Sequence, residues 1–143
     1  MGRYPQFMVF IVAQVIPAIA FGGPCANIQN TPPPGMFLDQ VRRAIAEQSH
    51  QQEHLREPLR IDTIHKYFGT DAWHAIWAEP QDSEVGVFVI ASEDYKLRHV
   101  ALWGGVAVPE DEPQIFERLV AKAPDAPRDL LRCVAHALAT REE

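Results

Sequence analysis

The segment Val85-Gly86-Val87-Phe88-Val89-Ile90-Ala91 is the most continuously apolar run after the first 21 residues. It is too short for a core helix and is rich in β-branched residues. Polar, turn-forming residues bound it on both sides, from Pro80 to Glu84 before it and at Glu93-Asp94 after it. Such a run predicts a strand that is covered on both of its faces. We therefore expect it to form the centre of a small sheet.

The segments on either side of this run predict its neighbours in the sheet. Residues 70–80 place Trp73, Ala75 and Trp77 in the alternation of a strand, although Trp73, Ile76 and Trp77 would also suit one face of a helix. We favour the strand, because a five-residue polar turn then joins it to the central run as a hairpin. Residues 97–108 predict a third strand, with a bulge or bend at Gly104-Gly105.

Helices are predicted at both ends of this meander. Met36 to about Arg56 has its apolar residues on one side at helical spacing, and Pro58 prevents its continuation. A short second helix is predicted from Asp62 to Gly69, a good N-cap residue and a good C-terminal residue respectively.

Two further helices, after Pro113 and after Pro127, each carry an apolar stripe. The predicted fold class is therefore α+β, with N-terminal helices, a three-stranded antiparallel meander and two C-terminal helices packed on the sheet.

The first twenty residues have the features of a cleaved secretory signal peptide. Arg3 precedes an apolar run at residues 7–16, and Ala18-Ile19-Ala20 matches a small-x-small cleavage site. The apolar segment is too short to span a bilayer, so we expect no stable membrane span after cleavage behind Ala20. The predicted organisation is a signal peptide at 1–20, a proline-rich extended leader at 21–35 and a single α+β domain at 36–143. The predicted location is the periplasm or the extracellular medium.

The charge of the chain excludes two classes of partner. Its 143 residues include 13 Lys and Arg against 19 Asp and Glu, a net charge of −6, and the basic residues are scattered along the sequence. Removal of Arg3 with the signal peptide leaves 12 against 19, a net charge of −7. Nucleic acid and anionic membranes both require a basic surface, so we expect neither as a partner.

The chain contains two cysteines, Cys25 and Cys133. In an oxidising compartment an even number of cysteines predicts disulfides, and two cysteines can pair in one way only. We therefore predict the disulfide Cys25–Cys133. The alternative is that Cys25 is a lipidated first residue, although Pro24 before it does not fit a lipoprotein cleavage motif.

His50-Gln51-Gln52-Glu53-His54 resembles the H-x-x-E-H motif of the inverzincin metallopeptidases. On a helix, His50 and His54 would share one face and could bind zinc, with Glu53 as the general base for a metal-bound water. The same helical spacing places these residues away from the apolar stripe, on a solvated face, and the sequence identifies no third ligand. A metal site at His50 and His54 is thus an alternative hypothesis.

Trp73, Trp77 and Trp103 are candidates for an aromatic binding surface, since large amphipathic rings are favoured at interfaces. The alternative is that the three rings belong to the core, where they would supply much of the buried area of a small domain.

The sequence therefore contains no set of residues that identifies an enzyme. We expect a small exported, non-enzymatic protein without a cofactor, which binds a partner protein in the cell envelope or outside it, as an inhibitor, immunity or accessory protein does. Two alternatives remain open. One is a zinc-dependent hydrolase that uses His50, Glu53 and His54, and the other is a small-ligand carrier with a tryptophan-lined pocket.

Overall fold

The computed structural model describes residues 22–52, 54–94 and 96–141, and the predicted signal peptide at 1–20 lies outside these residues. One helix precedes four consecutive strands, and a 3₁₀ turn and two helices follow them. The elements are α1 (Phe37–Gln52), β1 (Ile61–Thr70), β2 (Trp73–Pro80), β3 (Gly86–Glu93), β4 (Lys96–Gly104), the 3₁₀ turn Pro109–Asp111, α2 (Glu112–Lys122) and α3 (Arg128–Thr140).

The strands form an antiparallel sheet in the order β1-β2-β3-β4, with the predicted central run in β3. Successive side chains of a strand point to opposite faces, and both faces of β3 are buried. Val87 and Val89 pack in a cluster with α2 and α3, whereas Phe88 and Ile90 pack in a second cluster with α1. The sheet is therefore the middle layer of three, and the α+β class predicted from the sequence is confirmed.

The predicted second helix is wrong, because residues 61–70 form the edge strand β1 and the meander has four strands. The register of β1 against β2 shifts twice, so Asp62 and His65 have no residue of β2 directly opposite them in the Cα register. These two irregularities bring Ile61, Ile64 and Tyr67 to the same face of the sheet, against α1. A spacing of three residues normally indicates a helix, so two bulges gave this strand a helical pattern.

The first helix ends earlier than the predicted Arg56. It stops at Gln52, and His54 has a left-handed backbone with a φ of 54°. The amide of Leu55 donates to the carbonyl of His50 at 2.9 Å, which closes the end of the helix. A residue with positive φ cannot continue a right-handed helix, so the chain turns away before Pro58.

The outer edge of β4 is occupied by side chains from two helices. The Gln48 side-chain amide donates to the carbonyl of Leu97 at 2.9 Å, and its oxygen accepts from the backbone amide of His99 at 3.0 Å. The Lys122 ammonium donates to the carbonyl of Leu102 at 2.8 Å. These contacts use backbone groups that would otherwise be open to pairing with another strand.

The two C-terminal helices form as predicted and cover one face of the sheet. Ile115 and Leu119 of α2, and Leu130, Leu131 and Val134 of α3, are buried in the cluster that contains Val87 and Val89. Within the described residues, none of the helices has the length and apolarity that crossing a membrane requires.

Candidate functional site

A disulfide fastens the segment before α1 to the last helix. Cys25 Sγ is bonded to Cys133 Sγ at 2.11 Å, so the predicted pairing is confirmed. Cys133 is buried within α3, and because it is bonded to Cys25 it carries no free thiol. The disulfide therefore holds the start of the described chain against α3.

The proline-rich leader contacts the outer edge of β1 at one residue. The Gln29 amide donates to the carbonyl of Gly69 at 3.0 Å, and the Gly69 amide donates to the carbonyl of Gln29 at 2.8 Å. Continued antiparallel pairing would place Pro33 opposite His65, and Pro32, Pro33 and Pro34 have no amide proton to donate. Among the described residues, the pair at Gln29 is the one backbone contact on this edge of β1.

Beyond that contact a cavity of about 500 Å³ follows the edge of β1. Its floor is formed by residues 64–68, and the leader contributes Asn30 and Pro32. Leu38 of α1 lines one side and Ala137 of α3 the other. The edge strand thus forms the floor of a cleft between the two helical layers.

A second cavity of about 460 Å³ adjoins the first and shares Lys66 and Ala137 with it. It lies between α3 and the end of the sheet, and its remaining lining residues are Trp77, Val85, Gly105, Val106, Ala107, Leu138 and Arg141. We call the two cavities together the edge cleft. Their combined size lies in the range of known binding sites.

The edge cleft continues onto an apolar surface of exposed valines. Val106 is 78% exposed and Val85 is 40% exposed, and the neighbouring Val108 is 47% exposed. Single exposed apolar residues are common, but Val85 and Val106 both line the second cavity, and together with the nearby Val108 they indicate an interaction surface.

The charged residues of the edge cleft are basic. The Lys66 ammonium lies 6.0 Å from the ring centre of Phe68 and 5.9 Å from that of Trp77. His65 and Arg141 also line the cleft, and none of its described lining residues is acidic. His65 Nε2 lies 2.8 Å from Glu79 Oε2 across the β1–β2 hairpin. Lys66 and Arg141 are thus the charged side chains among the described lining residues of the cleft.

The three tryptophans predicted as binding residues lie on the same face of the sheet but not in one pocket. Trp73, Trp77 and Trp103 are partly buried and pack against the α2–α3 cluster. Trp77 lines the edge cleft, whereas Trp73 lines a separate cavity of about 360 Å³ beside Lys122. The Arg118 guanidinium lies 5.8 Å from the ring centre of Trp103. Of the three, Trp77 is thus the one in the candidate site.

The predicted metal ligands His50 and His54 are not on one helical face. His50 lies in the last turn of α1, His54 lies beyond the end of the helix, and Glu53 is outside the described residues. No group of three His, Cys, Asp or Glu that could hold a metal occurs in the described ranges. The arrangement that motivated the metal hypothesis therefore does not form, and the hypothesis itself stays a prediction.

Tyr67 and His74 form a buried pair that the sequence does not predict. The Tyr67 hydroxyl lies 2.7 Å from His74 Nδ1, and the ring of Phe37 lies 4.8 Å from the His74 ring. Burial lowers the pKa of His74 to about 4 and raises the pKa of Tyr67 to about 12. Both groups are thus neutral at physiological pH. They are buried beneath α1, on the opposite face from Trp77, so they support the floor of the cleft.

Comparison with known proteins gives no further identification: no family model, no curated protein and no solved structure matches the chain.

Proposed function

We propose that the chain is a small exported protein that acts by binding a partner protein in the cell envelope or outside it. The observation that carries this proposal is the edge cleft, which joins two cavities to a surface of exposed valines. An apolar site with a few polar groups at fixed positions is typical of a binding site. Inhibitor, immunity and accessory proteins act through surfaces of this kind.

Export is supported by two independent features. The sequence of residues 1–20 has the charge, apolar run and small-residue site of a signal peptide. The Cys25–Cys133 disulfide is a bond that persists in oxidising compartments. Expression with the native N-terminus in an exporting bacterial host, followed by mass spectrometry, tests this part. We expect a chain that begins at Phe21 and is two hydrogens lighter than its reduced form, whereas a chain that keeps residues 1–20 would contradict it.

Site-specific photocrosslinking tests the binding function. A photoreactive amino acid at Val106 would lie in the edge cleft, and the same residue at Met36 is the control, because Met36 is 64% exposed and does not line the cleft. In cells that export the protein, we expect a light-dependent crosslink to a defined envelope or secreted protein from position 106 only. No crosslink from position 106, or the same products from both positions, would contradict the proposal.

A small-ligand carrier remains the second candidate, because Trp77 lines a cavity of about 460 Å³. A bound ligand there would change the fluorescence of Trp77. Native mass spectrometry of the exported protein distinguishes the two candidates, since a carrier would keep a small molecule of defined mass.

A further inference from the structure

We infer that a cavity beside the β2–β3 turn receives a basic side chain of the partner protein, a lysine or an arginine, whose charge pairs with Glu84. This inference rests on the proposed partner-binding function and specifies the chemistry of the partner. The cavity has a volume of about 340 Å³ and shares Val85 and Gly105 with the edge cleft. We call it the turn pocket, and the lining residues that define it here are Leu55, Leu59, Glu84, Phe88, Leu102 and Gly104.

The turn pocket forms where the helical layer of α1 does not cover the end of the sheet. The helix has ended before the chain reaches Leu55 and Leu59, which line the pocket from the segment after α1. Phe88 and Leu102 belong to the cluster on the α1 side and line the pocket from the sheet. Gly104 follows two residues after Leu102 and therefore faces the same side. A β-carbon on Gly104 would meet no atom within 4 Å, so the pocket is open at this residue.

The walls of the turn pocket suit a long aliphatic chain. The four large side chains that line it are apolar, and the neighbouring Val85 is an exposed apolar residue. Lysine and arginine bury their methylene groups along apolar surface while the charged end stays in water. A short polar side chain would leave the same walls in contact with water. The walls therefore favour a partner residue with a long apolar stem.

Glu84 supplies the complementary charge. It is exposed, and it is the one charged residue among the described lining residues of the turn pocket. Glu84 lies in the turn between β2 and β3, whereas Gly104 lies at the end of β4, on the other side of β3. A side chain that enters over Gly104 and lies along Phe88 thus brings its end towards Glu84. Apolar walls strengthen the attraction between a carboxylate and a cation, and an acidic partner residue would be repelled.

The net charge of the chain supports a basic partner. The 143 residues carry a net charge of −6. Such a charge attracts a basic protein before contact, over distances of about a Debye length, ~10 Å at 0.1 M salt. This attraction increases the rate of encounter, and the turn pocket determines where the basic residue of the partner lies.

Titration with hexylamine tests the chemistry of the pocket without knowledge of the partner. Its alkyl chain and ammonium group imitate a lysine side chain. In the isotopically labelled, exported protein near neutral pH, we expect hexylamine to shift the amide signals of Gly86, Gly104 and Gly105. Hexanol lacks the charge and should bind about three- to fivefold more weakly. Hexanoate carries the opposite charge and should bind more weakly than hexanol.

Three variants show whether Glu84 and the pocket cause this binding. Glu84→Gln should reduce the affinity for hexylamine to that for hexanol. Asp82→Asn is the matched control, because it removes the same charge from an exposed position of the same turn that does not line the pocket. It should leave the affinity unchanged. Gly104→Leu should abolish the shifts caused by hexylamine and by hexanol, because the added side chain fills the open space.

The photocrosslinking experiment then tests whether the partner uses the turn pocket. With the photoreactive residue at Val106, Glu84→Lys should reduce the light-dependent crosslink about tenfold, because the basic side chain of the partner then meets a like charge. Asp82→Lys changes the net charge by the same amount and should leave the crosslink nearly as strong as in the parent chain.

Three results of the titrations would overturn the inference: hexanoate binding as tightly as hexylamine, equal hexylamine affinity in Glu84→Gln and the parent chain, or no shift at the three glycines. A crosslink from position 106 that is equally strong in Glu84→Lys and Asp82→Lys would also overturn it, and would leave the proposed function standing. Hexylamine binding that depends on Glu84, without any crosslink from position 106, would instead contradict the proposed function and, with it, a protein occupant of the pocket.

Discussion

The hydroxyl of Tyr67 reaches Nδ1 of His74 at 2.7 Å by passing over Gly69, the residue directly opposite His74 in the hairpin. A β-carbon on Gly69 would overlap the Tyr67 hydroxyl and ring. The absence of a side chain at this position is therefore what allows the two groups to meet. Phe37 covers them from α1 and contacts both rings.

We expect Gly69→Ala to destabilise the fold by about 1–3 kcal/mol, because the buried Tyr67 ring must move and lose its contacts with His74 and Phe37. The measurement is urea unfolding of the variant and the parent chain. Gly104→Ala is the control, since a β-carbon there meets no atom within 4 Å. Equal unfolding midpoints for the two variants would contradict the proposed role of Gly69.

The lowered pKa of His74 predicts a loss of stability in acid. The unfolded chain takes up a proton near pH 6.5, the folded chain only near pH 4, so the unfolded state binds more protons between these values. The free energy of unfolding should therefore decrease as pH falls from 6.5 to 4, by an amount on the order of 2–3 kcal/mol from this group. Below pH 4 its contribution should no longer change.

Urea unfolding at several pH values measures this effect. His74→Gln should reduce the slope of stability against pH between 6.5 and 4, because the titrating group is removed. His54→Gln is the control, since His54 is exposed and its replacement should leave the slope nearly unchanged. An unchanged slope in His74→Gln would show that other groups cause the pH dependence.

Removal of the Gln48 amide should lower the free energy of unfolding, because β4 then loses one of its side-chain partners. Gln48→Met keeps the length of the side chain but leaves the Leu97 carbonyl and the His99 amide without this partner, which should cost about 1–3 kcal/mol. The open edge should also promote association, visible as a concentration-dependent mass in light scattering. Gln51→Met, at an exposed position of the same helix, should show neither effect.

The Cys25–Cys133 disulfide closes a loop with a sequence separation of 108 residues. In the chain-entropy model a loop of this size stabilises the fold by about 4.7 kcal/mol. We therefore expect the double variant Cys25→Ala and Cys133→Ala to lose about 4 kcal/mol in urea unfolding. Dithiothreitol should lower the stability of the parent chain to a similar level and leave the variant unchanged. A variant as stable as the parent chain would contradict this estimate.

Much of the fold could be predicted because its centre follows simple rules. The run from Val87 to Ile90 is apolar at every position, as a strand covered on both faces requires, and the alternation at Trp73, Ala75 and Trp77 indicated the strand beside it. The stripes that begin at Ile115 and Leu130 identified the last two helices. Each of these patterns depends on local spacing alone.

The predictions that were wrong or incomplete concern residues whose placement depends on tertiary contacts. Bulges at Asp62 and His65 changed the spacing of β1, and a sequence pattern gives no sign of a bulge until the partner strand is known. The Gln48 side chain bonds to β4, which lies far away in the sequence, so the helical pattern of α1 gives no sign of this contact.

The candidate site could be predicted only in part. Trp77 was identified as a binding aromatic and lines the edge cleft, but Lys66 fell within the predicted second helix and was not considered. The edge cleft forms where the leader, α1, β1 and α3 meet, and the disulfide fixes that meeting point. No single segment carries a pattern that reveals it.

The same disulfide makes the protein resistant to separation by a single proteolytic cut. A protease that hydrolyses one peptide bond between Cys25 and Cys133 leaves both fragments joined through sulfur, and the loop includes α1, all four strands and α2. The nicked molecule would keep its mass apart from one added water, and its two fragments would separate only after reduction. In a compartment that contains proteases, a chain closed in this way can therefore keep its parts together after its first cut.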